Sequence, residues 1–201
     1  MRFNSDQIQK IGKEISSKVD GKTLFDEFSR GRYSTDASVY QIKPLGVVLP
    51  KDTNDVLSLM EYSQKNSVPL LARGGGSSQC GQTVGESVVL DYSKHQNKIL
   101  ELNVEEKYVW VQPGVVLDHL NAYLKPHGLW FPVDVSTSSR ATIGGMSANN
   151  SCGSRSLYYG NMVHNVLAIE AILDDGSIFN FDQINKNLSL IHISEPTRRC
   201  T

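Results

Sequence analysis

The stretch Leu70 to Thr83, LLARGGGSSQCGQT, sets three successive glycines between an arginine and a pair of hydroxyl side chains. Without Cβ atoms, Gly74, Gly75 and Gly76 can take positive φ and turn successive N–H groups toward one point, a concave nest for an anion. Arg73, Ser77 and Ser78 flank that nest, and the arrangement suits a diphosphate. Three glycines alone would equally well make a turn with no ligand. A second cluster, SSRATIGGMSANNSCGSRSLYYG at 138–160, places Gly144 and Gly145 among Thr142, Ser147, Asn149 and Asn150. These are small donors and acceptors beside backbone that a flat ligand can approach closely. Two such segments, separated by strands and a helix, predict a long ligand held at both ends.

Two common phosphate-binding patterns fit poorly. The register Gly76 to Thr83 comes within one residue of G-x-x-x-x-G-K-[ST], but Gln82 stands where that pattern needs a lysine to neutralise the β- and γ-phosphates. That pattern also opens a helix, whereas Val84-Gly85-Glu86 leads into a β-branched run. The dinucleotide pattern G-x-G-x-x-G fails as well, since its third glycine would fall at Gln79.

Elements that could position the glycines follow from periodicity. Ile8, Ile11, Ile15 and Val19 at helical spacing behind Ser5-Asp6 predict an amphipathic first helix over 5–19, expected to pack outside the core. From YQIKPLGVVLP onward, short apolar runs alternate with helices. Thr53-Asn54-Asp55 is read as the cap of a helix carrying Val56, Leu59, Met60 and Tyr62. Strands are predicted at 68–72, 87–91 and 107–112, and a helix carrying Leu117, Leu120 and Leu124 is stopped by Pro126 and Gly128. Asp175-Gly176 between apolar runs predicts a hairpin.

Bulk properties narrow the class. The 201 residues are 39% hydrophobic and 20% charged, enough for one or two globular domains. Lys+Arg 20 against Asp+Glu 21 leaves a net charge of -1, without the basic excess that nucleic-acid binding requires. The first residues are too polar for a secretion signal and no stretch approaches a membrane span, so a cytoplasmic protein is expected. Cys80, Cys152 and Cys200 show neither disulfide nor zinc spacing and are read as buried thiols. No metal site is expected.

With these segments in view, the chain from about Tyr33 to Phe181 resembles the flavin-binding domain of the vanillyl-alcohol oxidase / p-cresol methylhydroxylase (PCMH-type) superfamily. Within it, the similarity is to the D-lactate dehydrogenase, glycolate oxidase and D-2-hydroxyglutarate dehydrogenase group. The pieces KPLGVVLPKDTNDV, PLLARGGGSSQCGQ, VVLDYS, VQPGVVLDHLNAYLKPHGLWFPVDVS, ATIGGMSANNSCGSRSLYYG and VLAIEAILDDGS occur in order. The resemblance implies an α+β fold of two small α/β subdomains with FAD between them, over residues 33–187, behind an N-terminal helical extension at 1–32. It implies that Arg73, Gly74, Gly75, Gly76, Ser77 and Ser78, with Gly81 and Gln82, hold the FAD pyrophosphate. Pro113, Gly114 and Val115, with Asp134 and Ser136, would line the middle of the cofactor. Thr142, Gly144, Gly145, Ala148, Asn149 and Gly153 would form the other cluster. Several members attach FAD covalently through a histidine in the glycine loop; Ser77 at that place implies non-covalent FAD.

The implied activity is oxidation of a small 2-hydroxy acid, with hydride passing to FAD and the two electrons then passing to an undefined acceptor. Alternatives are an NADPH-using reductase of the same superfamily and a nucleotide-binding module without redox activity. No catalytic residue is assigned. His164, just after the second cluster, is the one histidine with a functional candidacy, whereas Tyr158 and Tyr159 are read as packing residues. The run LSLIHISEPTRRC breaks the pattern and resembles the translation of a sequencing-library adapter, so 188–201 is set apart as a non-native tail and the native sequence is expected to continue into a substrate domain.

Overall fold

The computed structural model describes residues 3–181. The tail at 188–201 and Cys200 lie outside them. The chain divides into two compact units, one ending at Asn165 and one beginning at Val166.

The first unit opens with α1 (Ser5–Ser16), capped by Asn4, whose side chain accepts from the Gln7 amide while Gln7 reaches back to the Asn4 amide. This reciprocal pairing sets the start one residue before the expected Ser5-Asp6 cap. Ile8, Ile11 and Ile15 are buried, so α1 belongs to the core rather than lying outside it. The strip is too apolar to be left in water: burying each isoleucine stabilises by about 1.5–3 kcal/mol. Then follow β1 (Lys22–Leu24), α2 (Glu27–Arg32), β2 (Gly46–Leu49), α3 (Thr53–Asn66), β3 (Leu70–Arg73) and β4 (Val88–Asp91).

Four of these make one sheet in the order β1-β2-β4-β3, with β1 antiparallel to β2 and the other two pairs parallel. Central β4, VVLD, is buried at every residue. A near-continuous apolar run with both faces covered is what a parallel interior strand requires. β1 and α2 were not visible in the periodicity, because short amphipathic pieces give too few repeats to show a period.

α3 is capped by Asp52, which accepts from the amides of Asn54 and Asp55, rather than by Thr53 to Asp55. Asp55 instead points inward. Its carboxylate is buried and accepts from the amides of Asp20 and Lys51, each at 2.7 Å, tying the turn before β1 to the end of β2. Asp55→Ala leaves both amides unpaired and is expected to destabilise the fold by about 3 kcal/mol, with Asp55→Asn costing roughly half, read from urea unfolding midpoints.

β5 (Ile99–Asn103) and β6 (Tyr108–Val111) pair antiparallel, and α4 (Leu117–Leu124) follows. Val115, Leu120 and Leu124 form a second cluster, packed by Ile99, Leu102, Val109, Val111, Leu129, Phe131 and Ile143. A single turn of 3-10 helix, Lys125–His127, ends α4 at Gly128, whose φ of 69° terminates the helix as expected. The short helices α5 (Ile143–Ala148), α6 (Ser156–Tyr159) and α7 (Met162–Asn165) complete this unit. In the second unit, β7 (Ile169–Ile172) and β8 (Ile178–Phe181) form the expected hairpin, with Gly176 at φ 83°. The architecture is α+β.

Candidate functional site: a paired glycine cradle

The loop 74–87 leaves the C-terminal end of β3 and returns to its parallel neighbour β4. Ligands of open parallel sheets gather at this end of the strands. Of the three glycines only Gly76 has a positive φ, 64°; Gly81 follows at 73°. The expected nest of three left-handed glycines is therefore not formed. Gly74 and Gly75 are needed for another reason, close approach: a Cβ on Gly74 would overlap the Thr142 hydroxyl, and one on Gly75 would overlap the Arg140 carbonyl.

These contacts also correct the expectation of a ligand gripped at two distant ends. The first glycine segment lies directly against the second, and Gln82 Nε2 donates to Asn149 Oδ1 at 2.9 Å. One cradle results. Among the described residues the amides of Gly75, Gly76, Ser77 and Ser78 donate no hydrogen bond to protein. Ser78 Oγ donates to Gln82 Oε1 at 2.7 Å and accepts from the Cys80 amide.

Arg73 does not project its guanidinium into this cradle as a free hand. Nη1 donates to the carbonyls of Tyr33 and Thr83, Nη2 donates to that of Thr35 at 2.9 Å, and the group stacks 5.2 Å from the Tyr33 ring centre. Burial holds its pKa below the usual arginine value, opposed by the charges of Asp91, Tyr33 and Asp36. Among the described residues no carboxylate lies within ion-pair distance of it. Its positive charge is left for an anion beside the loop.

The second cluster is joined to the turn after β6. Ile143 and Gly144 donate their amides to the carbonyls of Val115 and Pro113, and Val116 bridges Thr142. A Cβ on Gly144 would press on Pro113 at 2.5 Å, and one on Gly114 would overlap the Tyr92 carbonyl and reach the Gln96 carbonyl at 2.6 Å. Beside this junction, Gln96 is 7% exposed and its Nε2 has no partner among the described residues. A buried amide without an acceptor is expensive unless a ligand or water supplies one.

Asp134 and Gly153 form a neighbouring group. The Asp134 carboxylate accepts from the Arg155 amide at 3.0 Å and the Ser154 hydroxyl at 2.7 Å, and these bonds hold its pKa below the usual carboxylate value. A Cβ on Gly153 would overlap Asp134. Ser136 and Ala148 are exposed. Tyr158 is 85% exposed and stacks edge-on with Tyr159, which meets Trp130 in the same way, so these aromatics pack mainly on one another. His164 is exposed, and its Nδ1 accepts from the Asn161 amide. Cys80 and Cys152 are exposed free thiols rather than buried ones. Tyr33, Asp36, Thr83 and Asp91 shape the cradle without having stood out in the sequence, because their partners lie too far along the chain to form a local motif.

Unpaired amides at 75–78, a nearby cation without an ion pair and an orphaned buried amide suit an elongated anionic ligand, and FAD's diphosphate and polar rings fit that donor set. The fold and cradle thus define an α+β cofactor-binding domain assembled from two glycine segments. Residues 44–182 match the family model for the FAD binding domain, and the chain belongs to that family. It is 39% identical over 174 residues to D-2-hydroxyglutarate dehydrogenase of Haemophilus influenzae, covering 83% of this chain and 17% of that protein. The corresponding Escherichia coli K12 protein is 40% identical over 163 residues, covering 80% of this chain and 16% of its own length. Glycolate oxidase subunit GlcD of Bacillus subtilis is 37% identical over 176 residues, covering 85% of this chain and 37% of that protein. Among solved structures, Physcomitrella patens BBE-like 1 superposes with a TM-score of 0.75 at 21% identity, over 88% of this chain and 39% of that one. The chain thus spans about one sixth of the D-2-hydroxyglutarate dehydrogenases it matches. None of the helices in the described residues is long and apolar enough to cross a membrane.

Proposed function

We propose that this chain is the FAD-binding portion of a flavoenzyme that oxidises a D-2-hydroxy acid of the lactate, glycolate or 2-hydroxyglutarate type. The observation that carries the reading is identity near 40% to D-2-hydroxyglutarate dehydrogenases across four fifths of the chain. The cofactor is held reversibly, because Ser77 has no ring nitrogen with which to attach it. Within the cradle the amides of Gly75 to Ser78 face the diphosphate, with Gly81 and Gln82 closing the loop around it. Arg73 acts through the loop's shape and through its charge. Pro113, Gly114, Val115 and Ser136 line the cofactor's middle. Thr142, Gly144, Gly145, Ala148 and Asn149 form the facing wall, and Asp134 holds the Gly153 turn in place. When bound, FAD supplies the acceptor for the hydride leaving the carbinol carbon. The residues of this chain bind and orient it. The electron acceptor and the group that takes the hydroxyl proton lie outside these assignments.

The test is a reconstitution. The purified chain, mixed with FAD and desalted, is expected to emerge yellow with a flavin absorption band, and acid precipitation should release all the flavin to the supernatant. A colourless protein overturns the reading, and flavin retained in the pellet overturns its reversible character. In a polypeptide carrying this domain with its substrate-binding part, an anaerobic D-2-hydroxy acid should bleach the band and the L-enantiomer should not.

A further inference from the structure

The segment Tyr33 to Tyr40, YSTDASVY, lies before the residues matched by the family model and contains none of the assigned binding residues. It nevertheless holds the glycine loop at three places. At the first, Ala37 donates its amide to the Gly76 carbonyl at 3.1 Å. At the second, the Tyr40 ring occupies the space below Gly81, 2.5 Å from where a Cβ would stand. At the third, the Asp36 carboxylate accepts from the Thr83 hydroxyl at 3.0 Å and from its amide at 3.4 Å. The carbonyls of Tyr33 and Thr35 are also two of the three acceptors that fix the Arg73 guanidinium. The segment is itself closed: Ile42 donates to the Ser34 carbonyl, Thr35 bridges Gln41, and the Tyr33 hydroxyl donates to buried Asp91 at 2.6 Å.

The loop contributes little to its own shape. Among the described residues, the hydrogen bonds internal to 76–83 are those of Ser78 with Gln82 and Cys80. We infer that Tyr33–Tyr40 is a positioning strap that presets the loop for the diphosphate, with Asp36 and Tyr40 as its positioning residues. An untethered loop must be ordered when the ligand binds, and that cost is subtracted from affinity. The strap removes it beforehand. This inference rests on the flavin reading for the ligand's identity, whereas the ordering of the loop does not.

The experiment compares Asp36→Ala, Asp36→Asn and Tyr40→Ala in the full chain. The probes are FAD and ADP, the latter a diphosphate without a flavin, and the second readout is amide hydrogen exchange in the ligand-free protein. Asp36→Ala and Tyr40→Ala should weaken both ligands about tenfold. Asp36→Asn keeps an acceptor for the Thr83 hydroxyl and should recover most of the loss. Exchange should quicken at 74–83 while the urea midpoint stays at the wild-type value. Unchanged affinity together with unchanged exchange at 74–83 overturns the strap, as does quickened exchange spread evenly over the fold. If the unaltered chain binds neither FAD nor ADP, the flavin reading falls, and the exchange measurement alone decides whether the strap orders the loop.

Discussion

Gly75→Val is expected to yield a folded but colourless protein, with FAD affinity reduced about 100-fold or more. The physical cause lies behind the loop rather than in the ligand's space. The new Cβ would overlap the Arg140 carbonyl, a backbone atom that cannot rotate away, and the neighbouring contact of Gly74 with Thr142 leaves no slack beside it. The two glycine segments would have to separate, taking the Gly75 to Ser78 amides out of register with the diphosphate. Gly85→Ala in the same loop serves as the control, since its Cβ would meet Leu71 at an ordinary 3.5 Å. It should retain flavin. Equal retention by both variants, measured from flavin absorbance after desalting, would show that the close pairing of the segments does not matter for binding.

The second large effect belongs to Gly114→Val, and it should appear in stability before it appears in binding. Its Cβ would overlap the Tyr92 carbonyl and lie 2.6 Å from the Gln96 carbonyl, both main-chain atoms. The Gly114 amide donates to that same Gln96 carbonyl at 2.7 Å, so the residue cannot retreat without breaking the bond that fixes it. Adjacent Pro113 and Val115 accept from Gly144 and Ile143, so any retreat pulls on the second glycine segment too. Overpacking typically costs 1–3 kcal/mol and more where backbone must move, so a loss of about 3 kcal/mol is expected. A urea titration followed by tryptophan fluorescence measures it, and a midpoint equal to wild type would contradict this account. Trp110 and Trp130 make the signal available.

Much of the architecture could be read before any coordinates. The β3 and β4 runs, the α3 and α4 stripes and the Asp175-Gly176 hairpin each carry a local pattern, in side-chain period or turn chemistry, that a few neighbouring residues suffice to express. α1 shows the limit of such patterns. Its isoleucine spacing foretold a helix, but whether that stripe met the core or stood apart depended on what lay opposite, and Ile15 turned out fully buried. β1 is shorter still, three residues whose strand character comes from pairing with β2 across a long stretch of chain.

By itself the amino-acid sequence determined the two glycine segments and the likeness to flavin-binding domains, because these reside in residue types and short spacings, and it was that likeness, rather than periodicity, that implied the α+β class. Tertiary structure alone decided why those glycines are glycines. Gly74, Gly75, Gly114 and Gly153 are required by backbone or side chains distant in the chain, not by a left-handed turn. It likewise turned Arg73 from a flanking cation into the anchor of a loop, by supplying carbonyls from Tyr33 and Thr35. Close approach between remote segments leaves no periodic trace along a chain, so only the folded packing could reveal it.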